Sequence, residues 1–253
     1  MTDGQVIQAL EVLRLRFHRI LESNAPQVLE QAKAQVRDTK REHDERLRQR
    51  RRDYPIGPWG YRISPEMPLR FQDTMINDLW LRVDVVCEAL WIGENNEPHS
   101  QLLVVRVWAL NDDVMFREDW DAPGIKARVN PEYGRVMLRL HFERANPNQQ
   151  GPLYHVQVGG NAWPNECCWL HKAISMPRLA YPPMDLVLAC EMIAANFFPA
   201  QYRQIRTDNS WKGIVRASQE SLLGPYYSTC ADAAAGKCQN VSLLDELWNT
   251  SWT

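Results

Sequence analysis

The chain has 253 residues, 45% of them hydrophobic and 24% charged, with a net charge of −2. That supplies one sizeable core and excludes a uniformly basic protein that coats nucleic acid. Six cysteines are too sparse for a disulfide scaffold, and no basic segment followed by an apolar run opens the chain, so a cytoplasmic protein with free thiols is expected.

Residues 5–53 read as helix. Val6, Leu10, Leu13, Phe17 and Ile20 recur at 4-3-4-3 spacing, a coiled-coil-type seam. The pattern breaks at Ser23-Asn24-Ala25-Pro26, where Asn24 can cap a second helix and Pro26 fits its first turn. That helix, about 27–51, carries a thinner stripe of Leu29, Ala32, Val36, Thr39, His43 and Leu47. It ends in five arginines within residues 46–52, and Pro55, Gly57, Pro58 and Gly60 then stop it. Residues 1–53 hold 12 basic and 9 acidic side chains, a net of +3 that leaves −5 on the remainder. We therefore expect a helical arm over 1–53 with a basic tip, followed by an α+β domain over 54–253.

From Trp59 to Gly160 the period becomes two. Residues 81–91 alternate, 101–110 form a nearly continuous β-branched run, and 135–143 place Val136, Leu138, Leu140 and Phe142 opposite Arg135, Met137, Arg139, His141 and Glu143. Residues 153–158 give a shorter strand. Turn-rich segments and no helices lie between them, which predicts an antiparallel sheet of about five strands over 59–160. Pro182-Pro183 then opens an almost wholly apolar helix, about 184–198, too short to span a bilayer and expected to lie buried across the sheet. Asp185 falls in its first turn. Further amphipathic segments, 211–223 and 226–235 among them, complete a helical cover over 183–253, with a stop expected at Gly224-Pro225.

Candidate chemistry is scattered. His141 and His155 fall on neighbouring strands with Glu143 on the face of His141, so in the right register the three form a His-Glu-His set suited to metal binding or acid–base work; a polar sheet face has the same pattern. Asp84 and Glu88 read equally as a solvated strand face. Cys167 or Cys168 with His171 is a short-range thiolate–imidazole set that fits two ligands of a metal site, or these are buried structural cysteines. Gly159-Gly160 suits either a phosphate approach or a strand-ending turn. Arg48, Arg50, Arg51 and Arg52 can grip a phosphate backbone, or can be neutralised by pairs such as Glu42–Arg46 and Asp44–Arg48 on a solvated helix. The seam over residues 6–20 needs a covering surface: the rest of the chain, its own second helix, or another chain. No cofactor motif is present.

Residues 153–198, from LYHVQVGG through MDLVLACEMIAANFF, resemble small proteins of bacterial conflict systems. The resemblance covers under a fifth of the chain and brings no catalytic motif. The leading expectation is a non-enzymatic interaction or adaptor subunit that oligomerises or docks through residues 6–20, within such a defence system. The alternatives are a metal-dependent nuclease or hydrolase built on His141, Glu143, His155 and His171, and a nucleic-acid binder using residues 46–52.

Overall fold

The computed structural model describes residues 1–49, 57–92, 97–110, 135–144, 152–159 and 178–237. The chain starts with a reciprocal cap: the Thr2 hydroxyl accepts the Gln5 N–H at 3.3 Å while the Gln5 side-chain oxygen accepts the Thr2 N–H at 2.8 Å. Two of the orphan donors at the start of helix α1 (Asp3–Arg16) are thereby satisfied. A short connection leads to α2 (Ala25–Gln49), with Pro26 in its first turn, where the missing N–H is not needed.

Among the described residues eight strands follow: β1 (Trp59–Ile63), β2 (Leu69–Arg70), β3 (Thr74–Ile76), β4 (Leu79–Ile92), β5 (Glu97–Ala109), β6 (Arg135–Arg144), β7 (Tyr154–Val158) and β8 (Leu179–Ala180). They form one antiparallel sheet in the order β1-β4-β5-β6-β7-β8, with β2 and β3 also laid along β4. The fold is α+β, as the periodicities predict. The three strands beyond the expected five, β2, β3 and β8, have two or three residues each, too few to register as alternation.

All the described helices that pack on the sheet do so on one face. Leu81, Val83, Val85, Cys87 and Ala89 of β4 and Leu103, Val105 and Val107 of β5 enter a core shared with α1, α2 and the later helices α3 (Leu186–Phe197) and α5 (Asn209–Ser218). Asp185 is the N-cap of α3 and not part of its first turn; its carboxylate accepts the Leu188 N–H at 2.9 Å. Between these helices lies α4 (Pro199–Ile205). Glu191 ties the three together by accepting from the Tyr202 hydroxyl and the Trp211 indole N–H, each at 2.5 Å.

The N-terminal helices do not project as an arm. Val6, Leu10, Leu13, Phe17 and Ile20 are all buried in this same core, and Phe17 packs its ring 4.4 Å from that of Trp211 on α5. The thin stripe of α2 is the face it turns to β1. Leu29, Ala32 and Val36 are fully buried, Thr39 accepts the Gly60 N–H at 3.0 Å, and His43 Nδ1 bonds the Gly57 carbonyl at 2.7 Å. Residues 1–49 and the sheet thus share one hydrophobic core, so the boundary expected at residue 53 does not separate two cores.

Two local expectations also change. A bulge in the β5–β6 pairing sets Val107 opposite Leu138 but Trp108 opposite Val136, leaving Met137 as the extra residue. The alternation read for β6 therefore breaks there: Met137 packs against the helix-side core, and Val136 is buried outside it. The helical run likewise does not stop at Gly224-Pro225. A π-helical turn (Gln219–Leu223) widens the ladder, so that the Gly224 N–H reaches the Gln219 carbonyl, and Pro225 falls in the first turn of a new helix, α6 (Gly224–Ala234).

Candidate functional site

The second face of the sheet is where charged side chains gather. Antiparallel pairing sets Asp84 (β4) opposite Arg106 (β5), Arg106 opposite Arg139 (β6), Val104 opposite His141, and Glu143 (β6) opposite His155 (β7). Because side-chain direction alternates along each strand, these residues share a face. Asp84, Arg106, Arg139, His141 and His155 are all buried there, while the Glu143 side chain keeps 25% of its surface.

Asp84 does not lie on a solvated face. It is the acceptor of a buried fork: Arg106 donates Nε to Oδ1 at 2.5 Å and Nη2 to Oδ2 at 2.9 Å, and the Trp108 indole N–H reaches Oδ2 at 3.0 Å. The guanidinium carbon of Arg106 also lies 5.2 Å from the Trp108 ring centre. Burial pushes the Asp84 carboxyl up, and Arg106 and Trp108 pull it back towards the charged form. Glu88, by contrast, is partly exposed and pairs with Arg62 at 3.0 Å.

Arg139 is fully buried and donates Nη1 to the Gly159 carbonyl at 3.2 Å, while the Gly159 N–H returns a bond to the Arg139 carbonyl at 2.8 Å. Gly159 has φ 88°, a conformation that favours glycine, so it serves as a strand-ending turn locked to Arg139.

Sequence reasoning set His141, Glu143 and His155 as candidates, and the register brings all three together. His141 faces Gln157 two pairs along from the Glu143–His155 pair, on the same face. His155 Nδ1 lies 3.0 Å from the Pro152 carbonyl, and Nε2 lies 3.5 Å from Glu143 Oε2. A carbonyl only accepts, so Nδ1 carries a proton. His141 is held neutral: burial, then the charge of Arg139, lowers it to about 4.

The other candidates separate. Among the described residues no three His, Cys, Asp or Glu side chains sit close enough together to hold a metal ion. His171, Cys167 and Cys168 lie outside the described residues, as do Gly160, Arg50, Arg51 and Arg52. Arg48 is exposed on the last turn of α2, and Asp44, expected to pair with it, binds Lys40 instead. The seam of residues 6–20 offers no surface to another chain, because α2, α5 and the sheet already cover it. Among the described residues no helix is long and apolar enough to cross a membrane.

Sequence reasoning missed Arg106 and Arg139 and misjudged Asp84. The available signal was Arg106 itself, a single charge inside the run QLLVVRVWAL: a buried guanidinium demands a buried counter-charge.

No protein family matches the chain, and no curated protein or solved structure proves similar to it.

Proposed function

We propose that the chain is a hydrolase-type enzyme of the cytoplasm that works through the polar face of its sheet, with Glu143 as the acid–base group. The observation that carries this reading is the register of β6 on β7, which puts His155 behind Glu143 at 3.5 Å while the carboxylate remains the reachable member of the pair. In this scheme Glu143 takes a proton from an attacking water and passes it to the leaving group. His155, anchored by Pro152, is a positioning residue that stands behind the carboxylate at 3.5 Å. His141, neutral at pH 7, supplies one donor and one acceptor beside it. Arg139 adds a fixed positive charge in a buried setting, which favours an anionic transition state. Ester and phosphodiester hydrolysis are the reactions such a set serves best.

The test is hydrolysis of p-nitrophenyl esters, bis-p-nitrophenyl phosphate and labelled DNA and RNA oligonucleotides by the wild type, Glu143→Gln and His155→Gln, each with and without divalent cations. Activity on one class that falls about 100-fold or more in Glu143→Gln, with an unchanged circular dichroism spectrum, is the expected result. A wild type inert on every class, or a fully active Glu143→Gln, overturns the reading.

A further inference from the structure

We infer that the corner where α1 meets α5 is a docking surface for the sugar–phosphate backbone of a nucleic acid, independent of the sheet face and of the basic tip of α2. The chain as a whole is acidic, at −2, yet residues 199–218 hold Arg203, Arg206, Lys212 and Arg216 against Asp208 alone. Arg16 joins them from the end of α1, and Arg19 follows it three residues on. The geometry gathers these charges. Arg16 Nε lies 3.1 Å from Asp208 Oδ1, and Asp208 is the N-cap of α5. The Lys212 N–H bonds the Asp208 carbonyl, one helical turn along, and Arg216 follows a further turn on. On the other side Arg206 lies over the Tyr202 ring at 5.8 Å, with Arg203 beside it on α4.

All six cations are exposed. Asp208 is committed twice, to Arg16 and to the Trp211 N–H at 2.9 Å, and the next acid, Glu220, lies one helical turn beyond Arg216. Among the described residues Arg19, Arg203, Arg206, Lys212 and Arg216 form no ion pair. Elsewhere on the helical layer Arg14 and Lys33 are bound to Glu11 and Glu30, Lys40 to Asp44 and Arg41 to Asp38, while Arg37 and Arg48 of α2 likewise form no ion pair among the described residues. A concentration of unneutralised cations on a net acidic chain is the electrostatic signature of a polyanion site. Five of the six are arginine, whose planar fork matches phosphate oxygens in pairs. Leu15, half exposed beside Arg16, is the only large apolar side chain exposed on α1, α4 or α5, too little to enter a bilayer.

The experiment is fluorescence anisotropy with labelled 20-nucleotide single-stranded DNA and RNA, titrated with the full chain between 50 and 200 mM salt. If four cations engage phosphates, affinity falls roughly 50-fold over that range. Arg203→Glu/Arg206→Glu/Lys212→Glu/Arg216→Glu weakens binding at least tenfold with an unchanged melting temperature, because these side chains point away from the core. Arg48→Glu leaves binding intact. Absent or salt-insensitive binding overturns the proposal. So does a charge-reversed variant that still binds, a loss caused by Arg48→Glu, or tighter uptake on phosphatidylserine vesicles than on the oligonucleotides.

Discussion

Asp84 on β4 and Arg106 on β5 face each other directly across the sheet and form a two-pronged buried ion pair at 2.5 and 2.9 Å. Each is almost without solvent contact, so each neutralises a charge that water cannot reach. Removing Asp84 takes the paired carboxylate away from a buried guanidinium: Asp84→Leu is expected to cost about 3–5 kcal/mol in urea unfolding. The double variant Asp84→Leu/Arg106→Leu recovers most of that, because two apolar side chains leave no orphan charge. A double variant less stable than the single one would show that the pair contributes more than mutual neutralisation.

Leu13 and Phe17 are fully buried between α2, α5 and the sheet. Leu13→Ala is expected to destabilise by about 2–5 kcal/mol and Phe17→Ala by about 3–5 kcal/mol, through lost burial and the cavity left behind. Neither alters the native mass. A mass that drops on substitution, with stability retained, would mean that the seam holds a second chain.

What the sequence disclosed follows from the range of the interactions involved. The runs at 81–91 and 101–110, the alternation at 135–143 and the apolar stretch ended by Pro199 are local signals, and they became β4, β5, β6 and α3. The seam was legible as needing a cover, but the cover includes Trp211, nearly two hundred residues further on, and local periodicity says nothing about so distant a partner. The same holds for the polar face. Parity put Asp84 on the opposite side from Val83 and Val85, yet whether that side is wet or dry depends on Arg106 and Trp108 meeting it across a strand pair. His141, Glu143 and His155 were candidates because the two strands carrying them read cleanly, but the register that sets Glu143 opposite His155 was not legible locally. The bulge at Met137 left no trace in an alternation that continues unbroken through it.

The β3–β4 hairpin turns on Asn77 and Asp78, with φ of 49° and 64°, flanked by the Ile76–Leu79 pair. Two consecutive residues in the left-handed region form the turn for which Asn-Gly is preferred, and the second position here carries a side chain. Asp78→Gly relieves that strain and is expected to stabilise by about 0.5–1 kcal/mol, raising the melting temperature by roughly 2 °C. Asp78→Val should lower it. If the glycine variant melts earlier, the Asp78 side chain makes a contact that outweighs the strain.

His141 supplies a pH dependence of defined sign. Unfolded, its imidazole titrates near 6.5; folded, burial and the neighbouring Arg139 lower this to about 4, with His155 acting in the same direction and Glu143 opposing. Between those values the unfolded chain binds a proton that the folded chain refuses, so stability is intact above pH 6.5 and declines as pH falls towards 4. The fall from 6.5 to about 4 corresponds to a loss of about 3 kcal/mol. Glu11, lowered to about 2 by its bonds to Arg14 and Lys33, contributes its own loss only below its ordinary value of 4.5, which keeps most of the window separate. Asp84 and Asp185, raised by burial, act in the opposite direction above 3.8, so the informative quantity is the difference between two proteins. Urea unfolding of the wild type and His141→Gln at half-unit steps from pH 7 to 4 should give curves that diverge, with the variant flatter. Parallel curves would mean that His141 takes up its proton in the folded chain as readily as in the unfolded one, and that Arg139 and burial do not hold it neutral.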